Sequence, residues 1–565
     1  MLPAEPVLRR SSHLSAFAHM GDVYLYHDLY GYIMKMSPDV LEFLDAFAEP
    51  ARTDEVCERY QDAFEGQSPR EFVDIFSQFA CLLAPDEGEI DGIFYMVPVK
   101  SKWNVWTRGP DDGLVLHTAW GSRPRERVTL TAEETAVWDA IDGERRLGEM
   151  RSDFDADLLR QLIPRLVHHR VQAVKLSAFP LSTYKGRRNL RPPYLTSTMP
   201  YPPYHRGANG TAVPAPGTNL SPREYYRQQV ADADAQFDHQ ETTLSHLLRV
   251  PHPTLRDRTY GQTMIDSLLE RELLPSSGAL RVLEVGAGLG YVARDALTRL
   301  RDRDLDVSYH IVELSPALAQ AQRQRLEGLD VDIREGDILE VELPAGGYDF
   351  IFGNEMIGDL PAVELSRYQV GFQLPPDSPE RAARLTELGE TGQLIRDTGL
   401  SFDDAPDPFY LTTGAIRLLR RAYDALAPGG LCVLTEFGEL HTYPRLSTQL
   451  DHPELSIHFA HLSRAAEAFG FEVKFEFIID LLDFERTLEG MATTRSYFRA
   501  LRLVMADHGI DLQKIGYTRE MWHQLVDDKL GETRLGELYF DRIEDRLMGL
   551  VPHEFKALIL RKPSA

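Results

Sequence analysis

The chain has 565 residues, with 61 lysines and arginines against 87 aspartates and glutamates, a formal net charge of −26. Its 43% hydrophobic and 26% charged composition excludes a mainly disordered chain, and its length predicts roughly three or four domains. The acidic balance disfavours nucleic-acid binding, since phosphates would be repelled, and no window of about 18 apolar residues points to a membrane-spanning helix.

The first 190 residues carry one pattern twice. Short extended runs, GDVYLYHD and YGYIMKMS, come first. Ser37-Pro38-Asp39 then signals a helix start, with a capping serine and proline at the first helical position. VLEFLDAFAEP places Val40, Leu41, Phe43, Leu44 and Phe47 on one helical face. TDEVCERYQDAF predicts a second helix. The capping box Ser68-Pro69-Arg70-Glu71 opens a third, FVDIFSQFACLL. The second copy begins with the strand-like WNVWT and GLVLHTAW. The capping box Thr131-Ala132-Glu133-Glu134 leads into AVWDAIDGERRLGEM, and DADLLRQLIPRLVHHRVQAVKL ends in a strand-like tail. The pair His168-His169 falls in that helix without a matching ligand cluster, so no metal is expected. Cys57, Cys81 and Cys432 lie far apart with no CxxC pair, which suits a reducing cytoplasm rather than a disulfide framework. The start, MLPAEPVLRRSSHL, shows no apolar signal-peptide core.

These two modules resemble the PqqD-like precursor-recognition domains of ribosomal peptide biosynthesis, the first copy over residues 10–85 and the second more loosely. The resemblance implies capture of a leader peptide as an added strand. A winged-helix fold used for packing or dimerisation is the alternative.

From Arg191 to Leu220 the chain holds seven prolines and three glycines in thirty residues, which cannot sustain a helix or central strand. It reads as a linker or strap, and Tyr201 and Tyr204 within it pack on the catalytic domain or line a peptide groove. Next in order, LRVLEV is a buried strand and VARDALTRL a helix. Between them, Gly286, Gly288 and Gly290 permit the tight turn and close backbone approach that a bound cofactor requires. A dinucleotide fingerprint would need a small residue at Tyr291. VSYHIVEL, VDIREGDILEVEL, YDFIFGNEM, the helix-turn-strand AYDALAPGGLCVLTEFGE and HEFKALILRK then supply further strands.

Glu284 with the glycine triplet gives E-x-G-x-G-x-G, which resembles the first motif of class I S-adenosylmethionine (SAM) methyltransferases. HIVELSPALAQAQRQRL, FGNEMIGDLPA, LTTGAIRLLRRAYDALAPGGLCVLTEFGE and LSIHFAHLSRAAEAFGFEV resemble the MidA-type methyltransferases over roughly residues 222–565. That family includes a complex I assembly factor that methylates a protein arginine. The run from Glu313 to Gln322 is the most specific piece. The resemblance assigns SAM binding to Glu284, Gly286, Ala287, Gly288, Gly290, Glu313, Leu314, Asp337, Ile338 and Asn354. Glu313 is placed for the ribose hydroxyls and Asp337 for the adenine amine. The family's G-P-G-R-G is Gly286-Ala-Gly-Leu-Gly290 here, its N-E-F-F-D-A-L-P is Asn354-Glu-Met-Ile-Gly-Asp-Leu-Pro361, its D-Y-G is Glu436-Phe437-Gly438, and its H-V-D-F is Ser456-Ile-His-Phe459. These departures leave cofactor binding intact and put the arginine acceptor in question.

Methyl transfer from a sulfonium is an in-line displacement, so alignment dominates. A guanidinium or amine acceptor must lose a proton, and carboxylates can hold such a cation. Asn354, Glu355, Asp359 and Glu436 are the candidate catalytic residues, with Glu439 beside them. His458 is a candidate base or a structural partner of His461. The expected fold is α/β: a Rossmann-like class I methyltransferase sheet with two small N-terminal α+β winged-helix or PqqD-like domains. The expected boundaries are 1–90, 91–180, a linker at 181–221 and the methyltransferase at 222–565. The expected function is SAM-dependent methylation of a peptide or protein, foremost a precursor peptide held by its leader, in the cytoplasm, without nucleic acid or membrane; a homodimer is left open. The alternatives are arginine methylation of a folded protein, a SAM-binding scaffold without turnover, and a dinucleotide oxidoreductase.

Overall fold

The computed structural model describes residues 6–184 and 221–564, apart from 20–21, 32, 65–66, 102–103, 119–125, 169, 229, 231–242, 376, 450–451, 492–495, 531–537 and 540–546. Tyr201, Tyr204 and the whole proline-rich stretch lie outside the described residues. The chain forms two compact units. One contains Met1–Asn219, Arg495–Leu512 and Gln524–Arg546, and the other Leu220–Thr494, Gln513–His523 and Leu547–Ala565.

In the first unit the repeated pattern has one element order. Three antiparallel strands, Leu14–His19, Asp22–His27 and Ile33–Met36, precede helices Pro38–Asp45, Thr53–Arg59 and Pro69–Gln78. The hydroxyls of Ser37 and Ser68 cap the first and third helices. The third helix stops at Gln78, and Leu82–Leu83, expected within it, instead pairs as a strand with Val7–Arg10. Ala80, in the left-handed region at φ 54°, makes that turn. The second copy repeats the scheme with strands Val105–Arg108, Leu114–Thr118 and Glu126–Leu130, then helices Ala132–Ala140, Leu147–Met150 and Ala156–Val167. Val97–Lys100 and Val174–Ser177 close it as an antiparallel pair. Phe43, Phe47 and Phe76 fill the first core, and Trp138, Leu162 and Ile163 the second.

A continuous methyltransferase domain over 222–565 is corrected here. Helix Ser496–Asp507 packs on strands Val105–Arg108 and Leu114–Thr118 of the second module, and Asp507 pairs with Arg127. Leu538–Tyr539 adds antiparallel to Thr107 and Trp106. The strand edge and apolar face of that module, rather than sequence order, decide where this excursion folds.

The second unit is built on strands β1 (Gly278–Val285), β2 (Leu305–Glu313), β3 (Val331–Glu335), β4 (Tyr348–Asn354), β5 (Leu426–Glu439), β6 (Glu472–Phe477) and β7 (Phe555–Arg561). Their spatial order is β3-β2-β1-β4-β5-β7-β6. β1 to β5 run parallel, and β7 inserts antiparallel to both β5 and β6. The helices are α1 (Pro222–Gln228), α2 (Leu244–Leu247), α3 (Tyr260–Glu270), α4 (Tyr291–Arg301), α5 (Pro316–Arg325), α6 (Thr413–Ala425) and α7 (Phe459–Phe469). Alternation along the strands sends Leu283, Val285 and Leu434 to one face, packed with Ile416, Leu419 and Leu462 of α6 and α7. Val282, Phe350 and Val433 go to the other, packed with Ile265, Ala293 and Leu297 of α3 and α4. Covered on both faces, the parallel strands read as continuous apolar runs. Strand order reverses between β1 and β4, and such a switch point opens a crevice at the strands' carboxyl ends.

Candidate active site

The crevice is a cleft of about 150 Å³ lined by residues from α1, α2, the β1–α4 loop and the ends of β2 and β4. Its floor is the glycine turn. Gly286, Gly288 and Gly290 have φ of 65°, 53° and 78°, a region costly for residues with a Cβ. The Gly286 N–H donates to Val312 at 3.0 Å, which ties the turn to β2. A Cβ on Gly288 would meet no atom within 4 Å, so this backbone is bare on the cleft side. Gly290 is not on the wall. It caps α4 with Gln322 behind it, so what it supplies here is the turn's conformation.

Glu313 ends β2 and is buried at 3% exposure. Its carboxyl accepts the Ser315 N–H at 2.9 Å and the Gln322 amide at 2.8 Å. The same amide donates to the Gly288 carbonyl at 2.8 Å. Gln322 therefore locks the acidic strand end to the glycine turn, which explains the length of the Glu313–Gln322 run. Burial pushes the Glu313 carboxyl up to about 7 against those donors. Glu284 is raised further, to about 8, by burial and the nearby Glu313 charge, although Tyr309 donates to it at 2.7 Å. It faces the cleft as a neutral acid at pH 7.

At the next loop Asp337 accepts the Leu339 N–H at 2.8 Å and pairs with Arg223 of α1 at 2.9 Å. Leu314 and Ile338 line the wall between Glu313 and Asp337, and Ala287 lines it from the turn. On the opposite side, Asn354 donates to Ser245 and accepts from Thr435, at 2.9 and 2.8 Å. Glu355, at φ 50°, turns the chain out of β4. Its carboxylate accepts the Leu244 and Ser245 N–H groups at 2.9 and 3.2 Å. It thus holds the first turn of α2, where orphan donors and a positive dipole end favour an anion. Asp359, in the turn Ile357–Asp359, accepts from the Tyr226 hydroxyl at 2.9 Å.

Three expected residues stand elsewhere. Glu436 is buried behind the wall, accepting the Gly358 and Phe437 N–H groups at 3.0 Å each. Burial and the charges of Glu355 and Asp359 raise its carboxyl well above the usual range. It braces the Ile357–Asp359 turn and does not reach the cleft. Glu439 is exposed and pairs with Lys556. His458 caps α7, its Nδ1 accepting the His461 N–H at 3.2 Å, with the two rings stacked at 3.7 Å. Burial lowers both, His461 to about 3. The expectation of a base at His458 is corrected to a structural role, because β5 runs on to Glu439 and carries Ile457–His458 away along its flank. Sequence reading did not single out Arg223, Tyr226, Ser245, His246, Met356 or Pro361, all on the wall. The signals that could have pointed to the first four are the helix start at Ser221-Pro222 and the Thr243 cap. Among the described residues no group of three His, Cys, Asp or Glu is arranged for a metal ion.

The doubly wound sheet, the bare glycine turn and the acidic strand ends make a crevice of the kind in which open α/β folds hold a nucleotide-type cofactor. Residues 268–380 match the family described as “Putative S-adenosyl-L-methionine-dependent methyltransferase”. Among curated proteins, the chain is 24% identical over 192 residues to the mitochondrial protein arginine methyltransferase NDUFAF7 of Xenopus laevis, covering 29% of this chain and 43% of that one. It is 31% identical over 110 residues to methyltransferase calH of Penicillium decumbens, covering 18% and 30%. The chain thus spans under half the length of these relatives. Haemonchus contortus phosphoethanolamine N-methyltransferase 2, solved with S-adenosyl-L-methionine, shares 16% identity over 62% of each chain, with a TM-score of 0.32.

Proposed function

We propose that this chain methylates a nitrogen of a peptide, foremost a ribosomally made precursor whose leader docks on the first unit. The cleft fits S-adenosylmethionine by its own chemistry. The open backbone at Gly288 leaves room for close approach, and Glu313 and Asp337 offer acceptors for ribose hydroxyls and an adenine amine. When bound, the cofactor supplies a methyl group on a cationic sulfur. The protein's work is alignment and charge. Asn354, fixed by Ser245 and Thr435, orients one wall. Asp359 stands on the same wall, where its carboxylate holds a cationic acceptor and receives the nitrogen's proton. Glu355 serves chiefly to seat α2.

The observation that carries the peptide reading is the strand Leu538–Tyr539 on Thr107 and Trp106. It is strand addition to one of these modules, made by the chain itself. The second module's edge is filled in this way. Among the described residues the first module's three-stranded sheet, Leu14–His19, Asp22–His27 and Ile33–Met36, pairs with no further strand, which supports the first module as the leader's docking site. Arginine methylation in a folded protein is a second reading, favoured by the relative named a protein arginine methyltransferase. No described helix is long and apolar enough to cross a membrane. Mass spectrometry of candidate precursors incubated with enzyme and S-adenosylmethionine tests the proposal. A gain of methyl mass that falls when the leader is removed, and is lost in Asp359→Asn while cofactor binding persists, is the expected result. Equal turnover without the leader would refute the docking role.

A further inference from the structure

Helix α1 precedes the family-matched residues and has no part in the proposed function above, yet three of its side chains fasten it over the cleft. Tyr225, 2% exposed, packs with Leu289 of the glycine turn and Leu318 of α5. Tyr226 donates to Asp359 at 2.9 Å. Arg223 pairs with Asp337 at 2.9 Å and also with Glu340. Arg223 and Tyr226 line the same cleft as Glu313, Asp337 and Asn354. The helix is thus anchored on one side by apolar burial and clasps both ends of the cleft by polar contacts.

The Arg223 guanidinium meets both carboxylates through one terminal nitrogen, and a guanidinium held in this way can still present its flat faces to a π system. The Leu339 N–H takes one Asp337 oxygen; the other, shared with Arg223, retains a lone pair for a ring amine. We propose that Arg223 is an adenine-recognition residue of the cofactor site, packing its guanidinium on the base whose amine Asp337 receives, with Tyr226 holding the helix shut across Asp359. This inference rests on the cleft taking S-adenosylmethionine.

Calorimetry on the full chain, with S-adenosylhomocysteine and with 5′-methylthioadenosine, tests it. Arg223→Ala is expected to weaken both ligands by about tenfold, the same factor for each because the lost contact is with the base they share. Arg223→Lys keeps the charge but not the plane and is expected to lose most of that affinity; it carries the test should the alanine variant fold poorly. Glu224→Ala, on the exposed side of α1 against Ser221, is expected to bind as the parent does. Failure of the parent to bind either ligand would overturn the cofactor reading itself. Parent binding with Arg223→Ala and Arg223→Lys equal or tighter would overturn this inference alone, tighter binding meaning that Arg223 competes with the base for Asp337. A loss confined to S-adenosylhomocysteine would also overturn it, by moving the contact to the amino-acid end.

Discussion

Replacing Glu284 by glutamine keeps the shape of a neutral carboxyl and removes its ability to ionise. Burial lifts this group from 4.5 to about 8. One pK unit corresponds to about 1.4 kcal/mol, so the gap amounts to roughly 5 kcal/mol as a ceiling. The pKa is raised in the folded chain, so the stabilisation is fully present below pH 4.5 and is lost as pH rises through about 8. Glutamine does not take part in that loss, and its amide can still meet the Tyr309 hydroxyl. Urea unfolding followed by circular dichroism, run from acid to mildly alkaline pH, should show the two proteins alike at the acid end. The variant should then become the more stable by up to several kcal/mol toward the alkaline end. Cofactor binding should run the other way. A cationic ligand favours the ionised carboxylate, so parental affinity for S-adenosylmethionine should climb with pH toward 8, while Glu284→Gln stays flat and weaker. Stability curves that remain parallel at all pH values would refute the reasoning, since Glu284 would then ionise like a solvated acid.

Gly288→Ala should separate folding from binding. Its left-handed φ costs an alanine about 1–2 kcal/mol, its Cβ meets nothing within 4 Å, and S-adenosylhomocysteine affinity should fall at least tenfold because the methyl stands on the cleft wall; unchanged calorimetry would remove the glycine turn from the site. His458→Ala should cost about 1–3 kcal/mol through the lost α7 cap and the lost packing, while His458→Asn, which keeps an acceptor for His461, should cost less. Both should leave the pH profile of methylation unchanged, and loss of a limb near neutral pH would restore His458 as a base.

The sequence is legible where one local feature decides the outcome. LRVLEV is a strand because its apolar run is bounded by turn residues, and the glycines beyond it occupy left-handed positions that strain other residues. Glu313, at the end of β2, and Asp337, in the loop after β3, come to line the cleft because the topology brings those strand ends to one side. Glu436 is misread because the end of β5 cannot be located by composition: the strand runs through Glu436 to Glu439, and a residue expected at the rim is turned inward to Gly358. Arg223 and Tyr226 read as ordinary polar positions of a solvated helix, since their partners, Asp337 and Asp359, become neighbours only once the sheet is wound. The excursion at 495–546 escapes for a similar reason. Its amphipathic helix announces that it needs a core, and only tertiary structure says whose.

That excursion makes the protein interlaced rather than modular. The polypeptide passes from one unit to the other after Asn219, Thr494, Leu512, His523 and Arg546. A cut within the proline-rich stretch severs one of these passages, and the two fragments would then be held by the packing of helix Ser496–Asp507 and strand Leu538–Tyr539 on the second module. During translation, β7 leaves the ribosome only after the segment destined for the first unit has been made. The strand that fits between β5 and β6 is therefore delivered after both of its neighbours and after the segments of the first unit.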